Sequence, residues 1–193
     1  WTEDRFTELR AVYYGMCARV DHQWGLVETA LRDKGIFDDT AAFIFSDHGD
    51  FTGDYGLVEK TQNTLEDCLA HVPFIVKPPS DVKTTPGVRD ALVELIDFPA
   101  TVYEMAGIDA GYVYFGRDLQ HLFVKDGEHR DAVYAEGGRL AGESQASERE
   151  SFAAASDRLG LYAPRIGLQI EQGMPLKHGK ATLCRTSTHK YTR

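Results

Sequence analysis

The chain has 193 residues, of which 42% are hydrophobic and 26% charged, and its formal net charge is −9. This size suits one soluble globular domain rather than two. The negative charge argues against a nucleic-acid or anionic-membrane surface, because those partners need a basic footprint, and no apolar run approaches the ~18 residues of a transmembrane helix.

The N-terminal third predicts one long helix. Residues 1–5 are polar and lack an initiator Met, so we expect a chain cut from a longer protein. Apolar residues recur at helical spacing over residues 7–34, and Gly35 is a natural stop. The three cysteines, Cys17, Cys68 and Cys184, are far apart and predict buried thiols rather than a disulfide framework.

The middle of the chain alternates between strands and helices. Apolar runs at residues 41–45 and 72–76 are typical of strands buried on both faces of a parallel sheet. We expect a helix after Pro86, a second helix capped by Asp97 and ended by Gly107, and a third strand at residues 132–135. This alternation predicts an α/β fold with a mainly parallel sheet and flanking helices.

The C-terminal part differs in character. Residues 137–151 are rich in Gly, Ser, Glu and Ala, which predicts an exposed loop or a boundary. We therefore divide the chain into a domain at residues 1–145 and a partial, antiparallel C-terminal subdomain at 146–193. Residues 181–186 and 189–193 predict a β-hairpin around a turn at 187–188.

The candidate chemistry follows the first strand. Asp47 and His48 come at its carboxyl end, where ligands bind in open α/β sheets, and a carboxylate beside an imidazole suits a divalent cation. Lys60 lies beyond a loop with two glycines that could return its ammonium group to the same pocket. Alternatively, Asp47 caps a turn and Lys60 is a solvated surface residue. We expect Lys77 to be a surface charge at a strand end, and His129 to be solvated.

Several segments, taken together and in order, resemble the sulfatase family of the alkaline phosphatase superfamily. They are YYG at 13–15, VD at 20–21, SDHGD at 46–50, GDYGL at 53–57, Lys60, LED at 65–67, VPFIV at 72–76, LIDFPAT at 95–101, AGI at 106–108, RT at 185–186 and KY at 190–191. Tyr55 stands where many members have His.

The resemblance implies a site and a reaction. Asp47 and His48 match the later pair of ligands for a divalent ion, calcium above all, with manganese or magnesium as alternatives. Lys60 matches the lysine that contacts the substrate sulfate. The family's C-terminal part often lines the substrate cleft, which makes His178 and His189 candidates for substrate binding. The implied reaction is hydrolysis of a sulfate ester of a small molecule or carbohydrate by a formylglycine nucleophile.

The sequence departs from the family pattern at the nucleophile. None of the three cysteines, and no serine, fits the Cys/Ser-x-Pro/Ala-x-Arg motif, and the early paired aspartates are absent. Both features belong to the family's N-terminal half, which is therefore the expected partner of this chain; an oligomer is also compatible with the sequence. Two rival interpretations are a phosphonate or phosphodiester hydrolase of the same superfamily, and a non-catalytic fragment or interaction module.

Overall fold

The computed structural model describes residues 2–60, 64–138 and 180–193. The helices and strands follow in the order α1 (Glu3–Asp33), β1 (Ala42–Phe45), β2 (Phe51–Thr52), β3 (Val58–Glu59), α2 (Asp67–Ala70), β4 (Phe74–Lys77), α3 (Asp97–Ala106), α4 (Gln120–Val124), β5 (Val133–Gly137), β6 (Ala181–Arg185) and β7 (Lys190–Thr192). In the described ranges, no helix is both long enough and apolar enough to span a bilayer.

The long N-terminal helix is confirmed. Helix α1 has acidic residues in its first turn, where they complement the positive end of the helix dipole, and Gly35 follows its end with a left-handed φ of 68°. Phe6 is its only buried residue. Phe6 and Arg10 of α1 lie against Gly53 in the loop after β2. Burial, then the negative charge of Asp50, raises the pKa of the Tyr13 phenol. Helix α1 therefore packs beside the segment that follows β1.

The first two predicted strands form, but their direction differs from the prediction. Strands β1 and β4 pair antiparallel, with Phe45 opposite Phe74, and every strand pair among the described residues is antiparallel. The mainly parallel sheet is thus not found there. An apolar run indicates burial but carries no information about direction. The two strands are also not buried on both faces throughout, as the prediction had them, since the side chains of Phe45 and Ile75 are exposed.

An aromatic cluster joins this strand pair to α3. The ring of Phe98 lies 4.9 Å from that of Phe43 and 5.0 Å from that of Phe45, and Phe74 packs against both β1 rings from the neighbouring strand. Such tilted and edge-on pairs are favourable beyond the apolar area they bury. A second, separate apolar cluster contains Leu122 in α4. The aromatic cluster is the one that fixes the position of β1, the strand that leads into the candidate site.

The segment before α3 is irregular, and the helix predicted after Pro86 is absent there. Arg89 instead donates to the backbone carbonyls of Thr85 and Leu122, at 2.6 Å each. These bonds satisfy the carbonyl of Thr85, which lies outside any helix, and that of Leu122 near the end of α4, where carbonyls lack an intrahelical partner. The next helix begins at Asp97 and ends at Gly107, which adopts the left-handed conformation expected of a helix stop.

Asp97 is fully buried and serves tertiary partners rather than its own helix. Its carboxylate accepts hydrogen bonds from the backbone N–H of Glu94 at 2.9 Å and of Arg117 at 2.8 Å, and from the guanidinium of Arg130. Burial alone would raise the pKa of Asp97, but these hydrogen bonds outweigh it and hold the pKa below its usual value. Arg130 also pairs with Glu94 at 3.3 Å.

His129 completes the buried network around Asp97. Its side chain is 2% exposed, and its Nε2 lies 3.2 Å from Asp97 Oδ2, so the prediction that it is solvated is wrong. Burial lowers the pKa of His129 against the attraction of Asp97, and the imidazole is therefore neutral at pH 7. In that form it donates its Nε2–H to the carboxylate. His121 stacks on its other side at 5.1 Å.

The C-terminal hairpin is confirmed, and it joins a three-stranded antiparallel sheet in the order β5-β6-β7. Strand β5 precedes the boundary predicted at 145/146 and β6 follows it, so the sheet draws strands from both sides. The boundary itself falls in residues 139–179, outside the described residues, and stays a prediction.

Two smaller predictions are wrong. Lys77 is not a free surface charge, because its ammonium donates to the carbonyls of Phe37, Asp38 and Thr40 and so ties β4 to the turn before β1. The cysteines are free thiols as expected, but Cys17 is exposed and the other two are half-buried.

We predict that Asp97→Asn lowers the free energy of unfolding of the parent protein by roughly 3 kcal/mol, because it leaves the buried charge of Arg130 with Glu94 as its one described carboxylate partner. Denaturant unfolding would measure this free-energy difference, and Asp131→Asn is the control because Asp131 is exposed. Since the folded pKa of Asp97 is depressed, its contribution is present above about pH 4 and is lost as the pH falls through the folded pKa. A wild-type–variant difference that does not narrow between pH 7 and pH 3 would contradict this.

Candidate active site

The side chains of Asp47 and His48 converge at the carboxyl end of β1. Asp47 Oδ2 lies 3.6 Å from His48 Nε2, and Asp47 Oδ1 accepts the backbone N–H of His48 at 3.0 Å. The Asp47 side chain is 84% exposed, whereas that of His48 is 38% exposed. The pair thus presents one carboxylate and one imidazole on the same side of the loop, open to solvent.

A backbone carbonyl orients the ring of His48. Its Nδ1 lies 2.9 Å from the carbonyl oxygen of Gly49. A carbonyl only accepts, so in the neutral imidazole Nδ1 carries the proton and the lone pair belongs to Nε2, the nitrogen on the side of Asp47. Metal-binding histidines are commonly oriented by a carbonyl in this way.

The donor set fits half of a divalent-ion site. Two neighbouring ligands at ~2.4 Å from one cation lie ~3.4 Å apart, close to the observed oxygen–nitrogen separation. A carboxylate with one imidazole suits calcium, manganese or magnesium better than a thiolate-seeking metal. In the described parts of the chain, no group of three or more His, Cys, Asp or Glu side chains comes together for a metal. The remaining ligands would therefore come from other residues.

The loop that carries the pair is fixed by close contact with α2. The backbone N–H of Gly49 donates to the carbonyl of Leu69 at 2.8 Å, and Ser46 Oγ donates to the carbonyl of His48 at 2.6 Å. A Cβ on Gly49 would stand 1.9 Å from the carbonyl oxygen of Cys68. Glycine is thus required at position 49 because the two backbones approach so closely.

Lys60 follows the short β2–β3 hairpin and is exposed. Within the described ranges, no hydrogen bond or ion pair joins Lys60 to Asp47 or His48. Glu59, directly before it, adopts a left-handed φ of 64°, an uncommon conformation for a residue other than glycine. The substrate-binding role of Lys60 stays a prediction.

Among the described residues, no hydrogen bond or ion pair joins His189 to Asp47 or His48. His189 lies in the turn between β6 and β7, is exposed, and its Nδ1 lies 2.9 Å from Thr188 Oγ1. Its carbonyl accepts the backbone N–H of Thr186 at 2.8 Å. His178 lies outside the described residues. The substrate-binding roles of both histidines stay predictions.

A cluster of ion pairs, which the sequence analysis missed, links the C-terminal sheet to α2. Arg185 donates to both carboxylate oxygens of Asp67 at 2.7 Å, and Lys190 reaches Asp67 at 3.0 Å and Glu66 at 3.4 Å. Hydrogen bonds from Arg185, then Lys190, lower the pKa of Asp67. The segments 65–67, 185–186 and 190–191 were singled out by resemblance, but their mutual contact had no signal in the pattern.

An open groove of about 550 Å³ lies between the β2–β3 hairpin and α2, and we call it the rim groove. It is lined by Asp54, Tyr55, Glu66, Asp67, Cys68 and Lys190. It adjoins the Asp47–His48 loop, because the backbone of Cys68 is in contact with Gly49. Burial, then the negative charge of Asp54, raises the pKa of the Cys68 thiol, which makes it a poor nucleophile at neutral pH.

Comparison with known proteins identifies the family. The sulfatase family model matches residues 1–108, which include β1 and the Asp47–His48 pair. The chain belongs to the sulfatase family. This sulfatase chain is 36% identical over 109 residues to arylsulfatase K of Danio rerio, covering 56% of this chain and 20% of that protein. It is 28% identical over 129 residues to the multifunctional alkaline phosphatase superfamily protein PehA of Trinickia caryophylli, covering 67% of this chain and 24% of that protein.

The fold of this sulfatase chain also has a close structural relative. All of it superposes on 34% of the phosphonate monoester hydrolase SpPMH from Silicibacter pomeroyi, with a TM-score of 0.73 and 23% sequence identity. At that identity the likeness concerns the fold, which is thus the mixed helix-and-strand fold of the alkaline-phosphatase-like enzymes. The chain spans only a minor part of the length of each relative.

We predict that Gly49→Ala weakens divalent-ion binding by the parent protein at least tenfold, because the added methyl group collides with the Cys68 carbonyl and displaces the loop. Isothermal titration with calcium and manganese would measure the affinity. Gly127→Ala is the matched control, since nothing lies within 4 Å of a Cβ at Gly127. Equal affinities in both variants would show that the close approach does not position the pair.

Proposed function

We propose that the protein containing this chain hydrolyses sulfate monoesters of small molecules or carbohydrates. The observation that carries the proposal is the convergence of Asp47 Oδ2 and His48 Nε2 at the end of β1, in a chain of the sulfatase family. Arylsulfatase K, a relative by sequence, bears the name of an enzyme that acts on sulfate esters.

Asp47 and His48 would hold one side of a divalent ion, for which we propose calcium, with manganese or magnesium as alternatives. Such an ion would supply charge stabilisation to sulfate oxygens in the transition state. The contribution of the chain is to fix the two donors in place: the Gly49 carbonyl orients the imidazole, and α2 supports the loop from below. Because both donors are set before substrate arrives, little reorganisation is needed during the reaction.

We assign Lys60 the role of a cation that binds the sulfate. It follows the β2–β3 hairpin, which lies beside the rim groove, and its ammonium can approach an anionic oxygen as a compact charge. We assign the nucleophile to a formylglycine in a part of the protein that precedes this chain. The described cysteine nearest the pair, Cys68, has a raised pKa and does not serve.

The second candidate is hydrolysis of phosphonate monoesters or phosphodiesters at the same site. The relative PehA is described as multifunctional, and the Asp47–His48 donor pair is compatible with either anion. Parallel assays of the parent protein with phenyl sulfate, phenyl methylphosphonate and diphenyl phosphate decide between the sulfatase and the phosphonate or phosphodiester hydrolase. A third candidate, a non-catalytic fragment or interaction module, is supported only if the parent turns over none of them.

We predict that Asp47→Asn and His48→Gln each lower kcat/KM for phenyl sulfate by more than a hundredfold and reduce the bound metal. Loss of a partner that merely orients a ligand costs 10- to 100-fold, so loss of the ligand itself should cost more. Steady-state kinetics and elemental analysis of the purified parent measure both effects. The exposed Asp81→Asn is the control. Full metal content in either site variant would contradict the ligand assignment.

We predict that Lys60→Ala lowers kcat/KM ten- to a hundredfold without changing metal content, because a charge-assisted hydrogen bond to the sulfate contributes about 1.5–3 kcal/mol. Lys60→Arg should restore only part of the activity, since the planar guanidinium does not occupy the position of an ammonium. The matched control is the exposed Lys83→Ala, because Lys77 holds backbone carbonyls. Activity of Lys60→Ala within twofold of the wild type would remove Lys60 from the site.

A further inference from the structure

We propose that Tyr55 is a specificity-determining residue, and that its ring stacks on a sugar ring of the leaving group held in the rim groove. The inference rests on the proposed hydrolase function, because it concerns the part of the substrate that departs from the reacting ester. It names the substrate class as sulfated carbohydrates and assigns their recognition to a residue outside the Asp47–His48 pair.

The first observation is the conformation of Tyr55. It lies at the tip of the β2–β3 hairpin with φ 55° and ψ 21°, in the left-handed region that residues with a bulky side chain rarely adopt. The hairpin holds it there: Gly53 donates its N–H to the Leu57 carbonyl at 2.9 Å, and Gly56 donates to the Gly53 carbonyl at 3.0 Å. Strain of this kind is concentrated at functional sites.

The second observation is the exposure of the Tyr55 ring. The residue is 76% exposed, although the hairpin could place an aromatic residue inward, as it does with Phe51, which is 1% exposed. The two rings meet edge-on, with centroids 6.2 Å apart and an interplanar angle of 85°. Phe51 can cover at most one face of the tyrosine ring in this arrangement, and the exposure of Tyr55 leaves the other face available to a ligand.

The third observation is the chemistry of the rim groove around that ring. Asp54, Glu66 and Asp67 contribute carboxylates and Lys190 contributes an ammonium. Carboxylate oxygens accept hydrogen bonds from hydroxyl groups, and a ring packed on an aromatic face buries its apolar C–H edge. An aromatic platform flanked by carboxylates therefore fits a polyhydroxylated ring.

The rim groove lies next to the loop that carries Asp47 and His48. Its wall includes Cys68, whose carbonyl is in contact with Gly49, the residue after His48. A substrate whose ester group lies at the Asp47–His48 pair would extend its leaving group along this wall towards Tyr55. Tyr55 touches only the departing alcohol, so its contact should be equal in ground and transition states and should change KM rather than kcat.

The test compares Tyr55 variants of the full-length parent on two primary esters, glucose 6-sulfate and n-propyl sulfate. Tyr55→Asn removes the ring, and Asn tolerates the left-handed backbone, so the hairpin keeps its conformation. We expect Tyr55→Asn to raise KM for glucose 6-sulfate about five- to tenfold, with kcat and the constants for n-propyl sulfate within twofold of wild type. Tyr55→Phe should behave like the wild type.

The control is Tyr14→Ala, because Tyr14 is 71% exposed and lies on α1, away from the rim groove. Equal effects of Tyr55→Asn on both esters, or hydrolysis of n-propyl sulfate but not of glucose 6-sulfate by the wild type, would overturn the proposal. If the parent hydrolyses phosphonates but not sulfates, the proposed function fails, and the same two alcohols are then presented as methylphosphonate esters. The KM ratio between the esters still decides the role of Tyr55.

Discussion

The burial of the Asp97 carboxylate is the constraint on which much of this structure depends. A charge removed from water must be paired and hydrogen-bonded, and Asp97 is satisfied from three directions: by backbone N–H groups, by Arg130 and by His129. Glu94, the second partner of Arg130, also accepts the backbone N–H of Tyr134 at 2.6 Å. One buried anion thus ties the start of α3 to the strand that begins the C-terminal sheet.

This anchor extends to the candidate site through adjacent residues. Phe98 follows Asp97 in α3 and packs against Phe43 and Phe45, which alternate along β1. The strand then ends at Phe45, two residues before Asp47. The position of the Asp47–His48 pair is therefore set by apolar packing on one side and by the Gly49–α2 contact on the other, while the C-terminal ion pairs hold α2 in turn.

Local features of the sequence predicted local features of the molecule. The proximity of Asp47 to its neighbour His48 followed from their place at the end of an apolar run, and helix ends followed from glycine. Long-range pairing did not follow, because Arg185 and Asp67 are 118 positions apart and both look like solvated charges. The burial of His129 was hidden by its charged neighbours. Strand direction was also beyond reach, since hydrophobicity is the same whichever way a strand runs.

The antiparallel pairing of β1 with β4 has an evolutionary consequence. Phe74 begins β4 opposite Phe45, where β1 ends. The whole connection between the two strands therefore starts and finishes at the same end of the strand pair. Its length is not tied to the register, because closing a longer surface loop costs little free energy. Insertions at the tip of the β2–β3 hairpin can accordingly accumulate among descendants of this chain and reshape the rim groove, while the aromatic cluster and the Asp47–His48 pair are inherited unaltered.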